Sequence, residues 1–170
     1  MEMPDDALLE CMRLRRAFLD RKSEEFGNSR SKPKYKLLTQ KTALSELGIF
    51  IFHILTTTKG SYIKEKTIDI YISDWEYREG VHLSEPCSKL CSQKIDVMNR
   101  EKLLSKIKDS DNGFPHKGTL SQIKFDEVVS FIKTDFESVD SRTDFVVRDI
   151  IISIFDKKEI AKDVLTKFGL

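Results

Sequence analysis

A mainly α fold, in a single domain of about six helices over residues 1–170, is what three features of this sequence predict. Apolar residues recur at helical spacing in several long windows. Capping residues precede two of those windows. Only one segment alternates cleanly enough to be a strand, so one small antiparallel β-hairpin completes the expected fold, with α+β as the alternative. At 170 residues, with 39% hydrophobic and 34% charged residues, the chain has material for one core and a solvated surface.

The elements follow in chain order. Pro4-Asp5-Asp6 suits a helix start, and Leu8, Met12, Ala17, Phe18 and Leu19 give a loose apolar stripe, so a helix is expected over 7–25. The polar stretch 28–37, which contains Pro33 and no acid, reads as a basic loop or arm. Residues 39–57 read as a core helix, because Ala43, Leu44, Leu47, Phe50, Ile51, Ile54 and Leu55 keep helical spacing while Ile49 and Phe52 fill the other face. A strand over 49–55 competes with that helix, since period alone does not separate short β-branched runs.

Thr67 to Ser73 alternates, with Ile68, Ile70 and Ile72 on one side, and is the strongest strand. Trp75–Tyr77 and Val81–Leu83 are expected to return it as a hairpin. Ser84-Glu85-Pro86 opens a short helix to about Ser92, and Asn99 caps another through Leu103, Leu104 and Ile107. Lys108 to Gly118 is a loop. Phe125, Val128, Val129, Ile132 and Phe136 form a helical face. The segment 145–155 and a helix behind Asp156-x-x-Glu159 complete the expected core.

Charge narrows the function. Lys+Arg is 29 and Asp+Glu is 28, which excludes a globally basic chain. From Arg13 to Lys36, however, nine basic residues face three acids, a local charge of +6. The residues expected to contact phosphates are Arg13, Arg16, Arg30, Lys32, Lys34, Lys36 and Lys41, with Tyr35 placed to stack a base between two lysines.

Other patterns carry less chemistry. His82-x4-Cys87-x3-Cys91 brings three zinc-capable groups together, but a structural zinc takes four ligands and the spacing matches no common finger, so no metal is expected. Asp69, Asp74 and Glu76 recur near a strand without the lysine that a strand-borne nuclease site wants. Asp109-Ser-Asp111-Asn112-Gly113 has the wrong register for a calcium loop and reads as a turn. His53 reads as a core or partner-facing histidine.

No phosphate loop, dinucleotide fingerprint, zinc-protease helix or serine elbow occurs, so neither a cofactor nor an enzymatic activity is expected. Three cysteines, no secretory leader pattern and no apolar run of about 20 residues point to the cytoplasm or nucleus rather than a membrane. The expected function is a protein–protein interaction module: an adaptor, regulator or structural subunit that binds another protein or a second copy of itself. Binding of RNA or DNA through 13–36 is the alternative.

Overall fold

The structure is a computed structural model that describes residues 4–23, 32–41, 49–57, 67–79 and 87–138. Its elements are α1 (Asp5–Glu10), β1 (Arg16–Ser23), β2 (Lys32–Lys41), β3 (Ile49–Thr57), β4 (Thr67–Tyr71), a 3-10 turn (Ile72–Asp74), β5 (Trp75–Arg78), β6 (Cys87–Asn99), α2 (Arg100–Lys108), β7 (His116–Leu120) and α3 (Gln122–Ser138). The seven strands form one sheet in the order β4-β6-β3-β2-β1-β7-β5, and every pairing is antiparallel.

The mainly α expectation is therefore wrong: the described fold is an antiparallel sheet with three helices. Chain continuity also curls the sheet. Its two edge strands, β4 and β5, are joined through Ile72–Asp74 alone. Four Cα steps span at most about 15 Å, whereas seven flat strands at about 4.8 Å spacing would hold their edges roughly 29 Å apart. The sheet closes toward a barrel to satisfy that short link.

The middle of the sheet is covered on both faces. Phe18, Leu38, Phe50, Phe52 and Met98 pack with Leu9 of α1, Leu103 and Leu104 of α2, and Phe114. Ala17, Leu37, Leu55, Ile70, Leu90 and Leu120 pack with Trp75 and with Phe125 and Val128 of α3. The neighbours Ala17/Phe18 and Leu37/Leu38 thus enter opposite cores, as alternation along a strand requires. Phe18 stacks on Phe114 with ring centroids 5.2 Å apart, and Phe52 meets Phe114 edge-on at 5.5 Å.

This double burial explains the misread segments. A strand covered on both sides loses its period of two, so 49–57 looks like a helix apolar all round. The competing strand reading is the one that matches β3. The helix expected over 7–25 stops after Glu10, and Arg15 adopts φ 75 just before β1. The arm expected over 28–37 is part of β2 from Lys32 onward, and the helix expected over 84–92 is instead strand β6 from Cys87. The strands expected near 67 and 75 are present as opposite edges of the sheet and do not pair with each other, and Val81–Leu83, the rest of the expected hairpin, lies outside the described residues.

Two helices agree with the sequence. Asn99 accepts a hydrogen bond from the Lys102 amide at 2.8 Å at the start of α2, and α3 buries Phe125 and Val128 while Val129 and Ile132 pack beside them. The expected segments 145–155 and 156–168 lie outside the described residues. No helix among the described residues is long and apolar enough to cross a membrane.

Candidate functional site

Strand alternation divides the basic segment before any chemistry is considered. Lys34 and Lys36 share one face of β2 and Tyr35 takes the other, where it packs half-buried beside the core around α3. Burial pushes the Tyr35 phenol up, against the nearby Arg21 charge. A base stacked on Tyr35 would therefore not lie between the two lysines. Arg30 lies outside the described residues, and Lys32 is placed in β2 by its backbone.

Lys36 is an interior residue. Its side chain is 1% exposed and its ammonium lies 2.7 Å from Asp20 Oδ2 and 2.6 Å from Asp96 Oδ2. Asp20, 0% exposed, also takes the Lys106 ammonium at 2.9 Å and accepts from Asn112 Nδ2 at 3.0 Å and from the Lys22 amide at 3.2 Å. Asp96 reaches outward to Lys102 at 3.4 Å. Strands β1, β2 and β6, helix α2 and the following turn all enter this cluster. Burial alone would raise the Asp20 carboxyl, but hydrogen bonds and charge from Lys106 and Lys36 outweigh it and hold Asp20 below the ordinary range. Lys36 is thus spent on the fold and does not face solvent phosphates.

Arg16 and Lys41 both bond to the α1–β1 connection, which also carries Arg13. The connection between α1 and β1 turns tightly, with the Arg16 amide donating to the Arg13 carbonyl at 3.3 Å and the Arg15 amide to the Leu38 carbonyl at 3.3 Å. Arg16 Nη1 donates to the Cys11 carbonyl at 3.1 Å, and Lys41 Nζ donates to the Met12 carbonyl at 2.9 Å. Arg13, in the same loop, is exposed. The predicted path from 13 to 41 is therefore split: one basic group surrounds the α1–β1 loop at the Lys41 end of β2, Lys36 is interior, and Lys32 and Lys34 sit toward the other end of the strand.

The acids on the two edge strands and on the turn between them are occupied separately. Asp69 meets Lys89 at 3.4 Å, Asp74 meets Lys124 at 3.6 Å, and Glu76 meets Arg15 at 3.1 Å. Cys87 and Cys91 lie on a strand rather than one helical face, and His82 is outside the described residues. No group of three metal-ligating side chains occurs among the described residues. Asp109 forms the turn read from the sequence, accepting from the Asp111 amide at 2.9 Å while Gly113 adopts φ 63. His53 is buried and its Nδ1 lies 2.6 Å from Thr39 Oγ1.

A second surface was not anticipated. β4 pairs with β6 and β5 with β7, and neither has a second strand partner among the described residues. Tyr71 at the end of β4, Ile72 in the corner and Tyr77 on β5 are exposed, Tyr71 by 52%. Ile123 of α3, 78% exposed, stands by the same corner, where the Ser121 amide donates to the Asp74 carbonyl at 2.8 Å. The sequence signal for it was present: Tyr71 sits opposite the isoleucine face of the alternating segment. No family model matches the chain, and no curated protein sequence matches it.

Proposed function

We propose that this protein is a non-enzymatic interaction module that binds an extended segment of another protein along the β4–β5 edge. The observation that carries the reading is the pair of edge strands meeting at Ile72–Asp74, each without a second strand partner among the described residues, with Tyr71, Ile72 and Tyr77 exposed on them. An open edge offers unpaired backbone donors and acceptors, and natural proteins usually blunt such edges with charge, proline or a bulge. Here β4 reads Thr-Ile-Asp-Ile-Tyr, which contains no proline and one acid. An added strand takes its affinity from main-chain hydrogen bonds and its specificity from alternate side chains. Exposed aromatic residues suit that role, because they cover area at low entropic cost.

The test is affinity capture on the tagged chain, with and without nuclease, beside the variant Tyr71→Lys/Ile72→Lys. Both side chains are exposed, so the variant keeps its fold by circular dichroism. A partner retained after nuclease and lost in the variant supports the reading. Capture that disappears with nuclease, or that the variant leaves unchanged, refutes it.

A further inference from the structure

The geometry points to a phosphate-binding site on the α1–β1 loop, formed by Arg13, Arg16 and Lys41. The argument rests on what these cations touch. Many of the other described basic side chains stand against carboxylates: Arg15 on Glu76, Lys22 on Asp109, Arg100 on Asp6, Lys108 on Asp5 and Lys124 on Asp74, while Arg21 is held singly by the Asn112 carbonyl at 2.6 Å. Arg16 and Lys41 differ in converging on one loop. Each is tethered to a neutral backbone carbonyl, of Cys11 and of Met12. Those carbonyls belong to adjacent residues, so the two charged heads lie on the order of 10 Å apart or less. Arg13 stands in the same turn, which its own carbonyl closes with the Arg16 amide.

Acidic side chains close to the loop in sequence are engaged elsewhere or stand apart. Asp5 and Asp6 of α1 are paired with α2. Glu76 is held by Arg15, whose φ of 75 accompanies a side chain directed to β5 and the Leu120 carbonyl. Glu10 is exposed and forms no ion pair with any of the three cations. The result is three positive charges, two of them held in position before any ligand arrives, with no carboxylate in contact among the described residues. A tetrahedral anion with several oxygens matches that arrangement: Arg16 and Lys41 keep further donors beyond the one each gives to the loop, and guanidinium groups suit phosphate in particular. The site is independent of the β4–β5 edge and stands or falls separately from it.

The experiment is fluorescence anisotropy of a labelled single-stranded 20-mer of mixed sequence, titrated with the full chain between 50 and 200 mM salt. Three phosphate contacts at roughly 0.7 each give a log–log slope of about 2, which is a loss of roughly 20-fold over that range. Arg13→Ala removes a side chain with no ion pair and should lower the slope by about 0.7 without changing the melting temperature. Lys22→Ala, whose cation is already neutralised, should leave the slope alone. Competition with inorganic phosphate separates the two sources of the group. Displacement of the oligonucleotide by millimolar phosphate assigns the site to small phosphates, and resistance assigns it to a polynucleotide backbone. Where the oligonucleotide does not bind, phosphate is titrated directly by calorimetry against wild type and Arg13→Ala. Absence of binding to both probes at 50 mM salt, or an Arg13→Ala protein that binds with unchanged affinity and slope, overturns the inference.

Discussion

Replacing Asp20 by Ala should be among the most damaging single changes in the described fold. The carboxylate is 0% exposed and holds the ammonium groups of Lys36 at 2.7 Å and Lys106 at 2.9 Å. Without it, Lys36 keeps only Asp96, and Lys106 keeps the Lys22 carbonyl at 3.3 Å. Removing one member of a buried ion pair costs about 3–5 kcal/mol, because a charge is left without compensation. For a chain of this size that is a fall in melting temperature of about 8–16 °C. Lys36→Met should cost less, about 2 kcal/mol, since Asp20 still has Lys106 and Asn112, and Asp96 still has Lys102. The two variants should couple by more than about 1 kcal/mol in a double-mutant cycle. Thermal and urea unfolding, followed by the fluorescence of the single tryptophan Trp75, measures all three quantities. Acid provides an independent check. The Asp20 carboxyl is held below its unfolded value of about 3.9. Its stabilisation is therefore complete above that pH and is lost as pH falls through the lower folded value. Wild type should lose stability below about pH 4 faster than Asp20→Ala. A drop of less than about 3 °C for Asp20→Ala, or strict additivity of the two substitutions, would refute the assignment of this cluster as a structural lock.

Three further outcomes follow from other sites. Burial pushes the His116 imidazole down, with the neighbouring Arg16 charge adding to the shift; its neutral form favours folding above the unfolded value of about 6.5, and that contribution fades as pH falls through the lower folded value. His116→Gln should flatten the melting temperature between pH 7 and pH 5, and a profile as steep as wild type would contradict this. Asn99→Ala removes the cap on α2 and should cost about 1 kcal/mol in urea unfolding with an unchanged m value. Phe18→Ala empties the stack with Phe114 between β1 and the loop before β7, and should cost about 3–5 kcal/mol by the same measurement.

Legibility in the sequence followed how local each cause was. The cap at Asn99 and the face Phe125/Val128 act within a few residues, and both were read as they occur in α2 and α3. The alternation of Ile68 and Ile70 marked β4 correctly. The run 39–57 misled because its apolar residues serve two cores at once, and no window on the chain shows that. The α1–β1 region misled for a related reason. Ala17 and Phe18 look like helical stripe residues, but each belongs to a different face of β1.

The candidate sites divide in the same way. That Arg13, Arg16 and Lys41 are basic, and that the chain balances 29 cations against 28 anions, can be counted directly. That Lys36 belongs to the interior cannot, because its partners Asp20 and Asp96 lie 16 and 60 residues away. Composition, local capping and one alternating strand are set by neighbours along the chain, within reach of a single turn or pleat. Strand order, burial on two faces, the partner each described charge finds and the meeting of the two edge strands are set by pairings across the sheet. Those pairings depend on residues that only folding brings within hydrogen-bond distance.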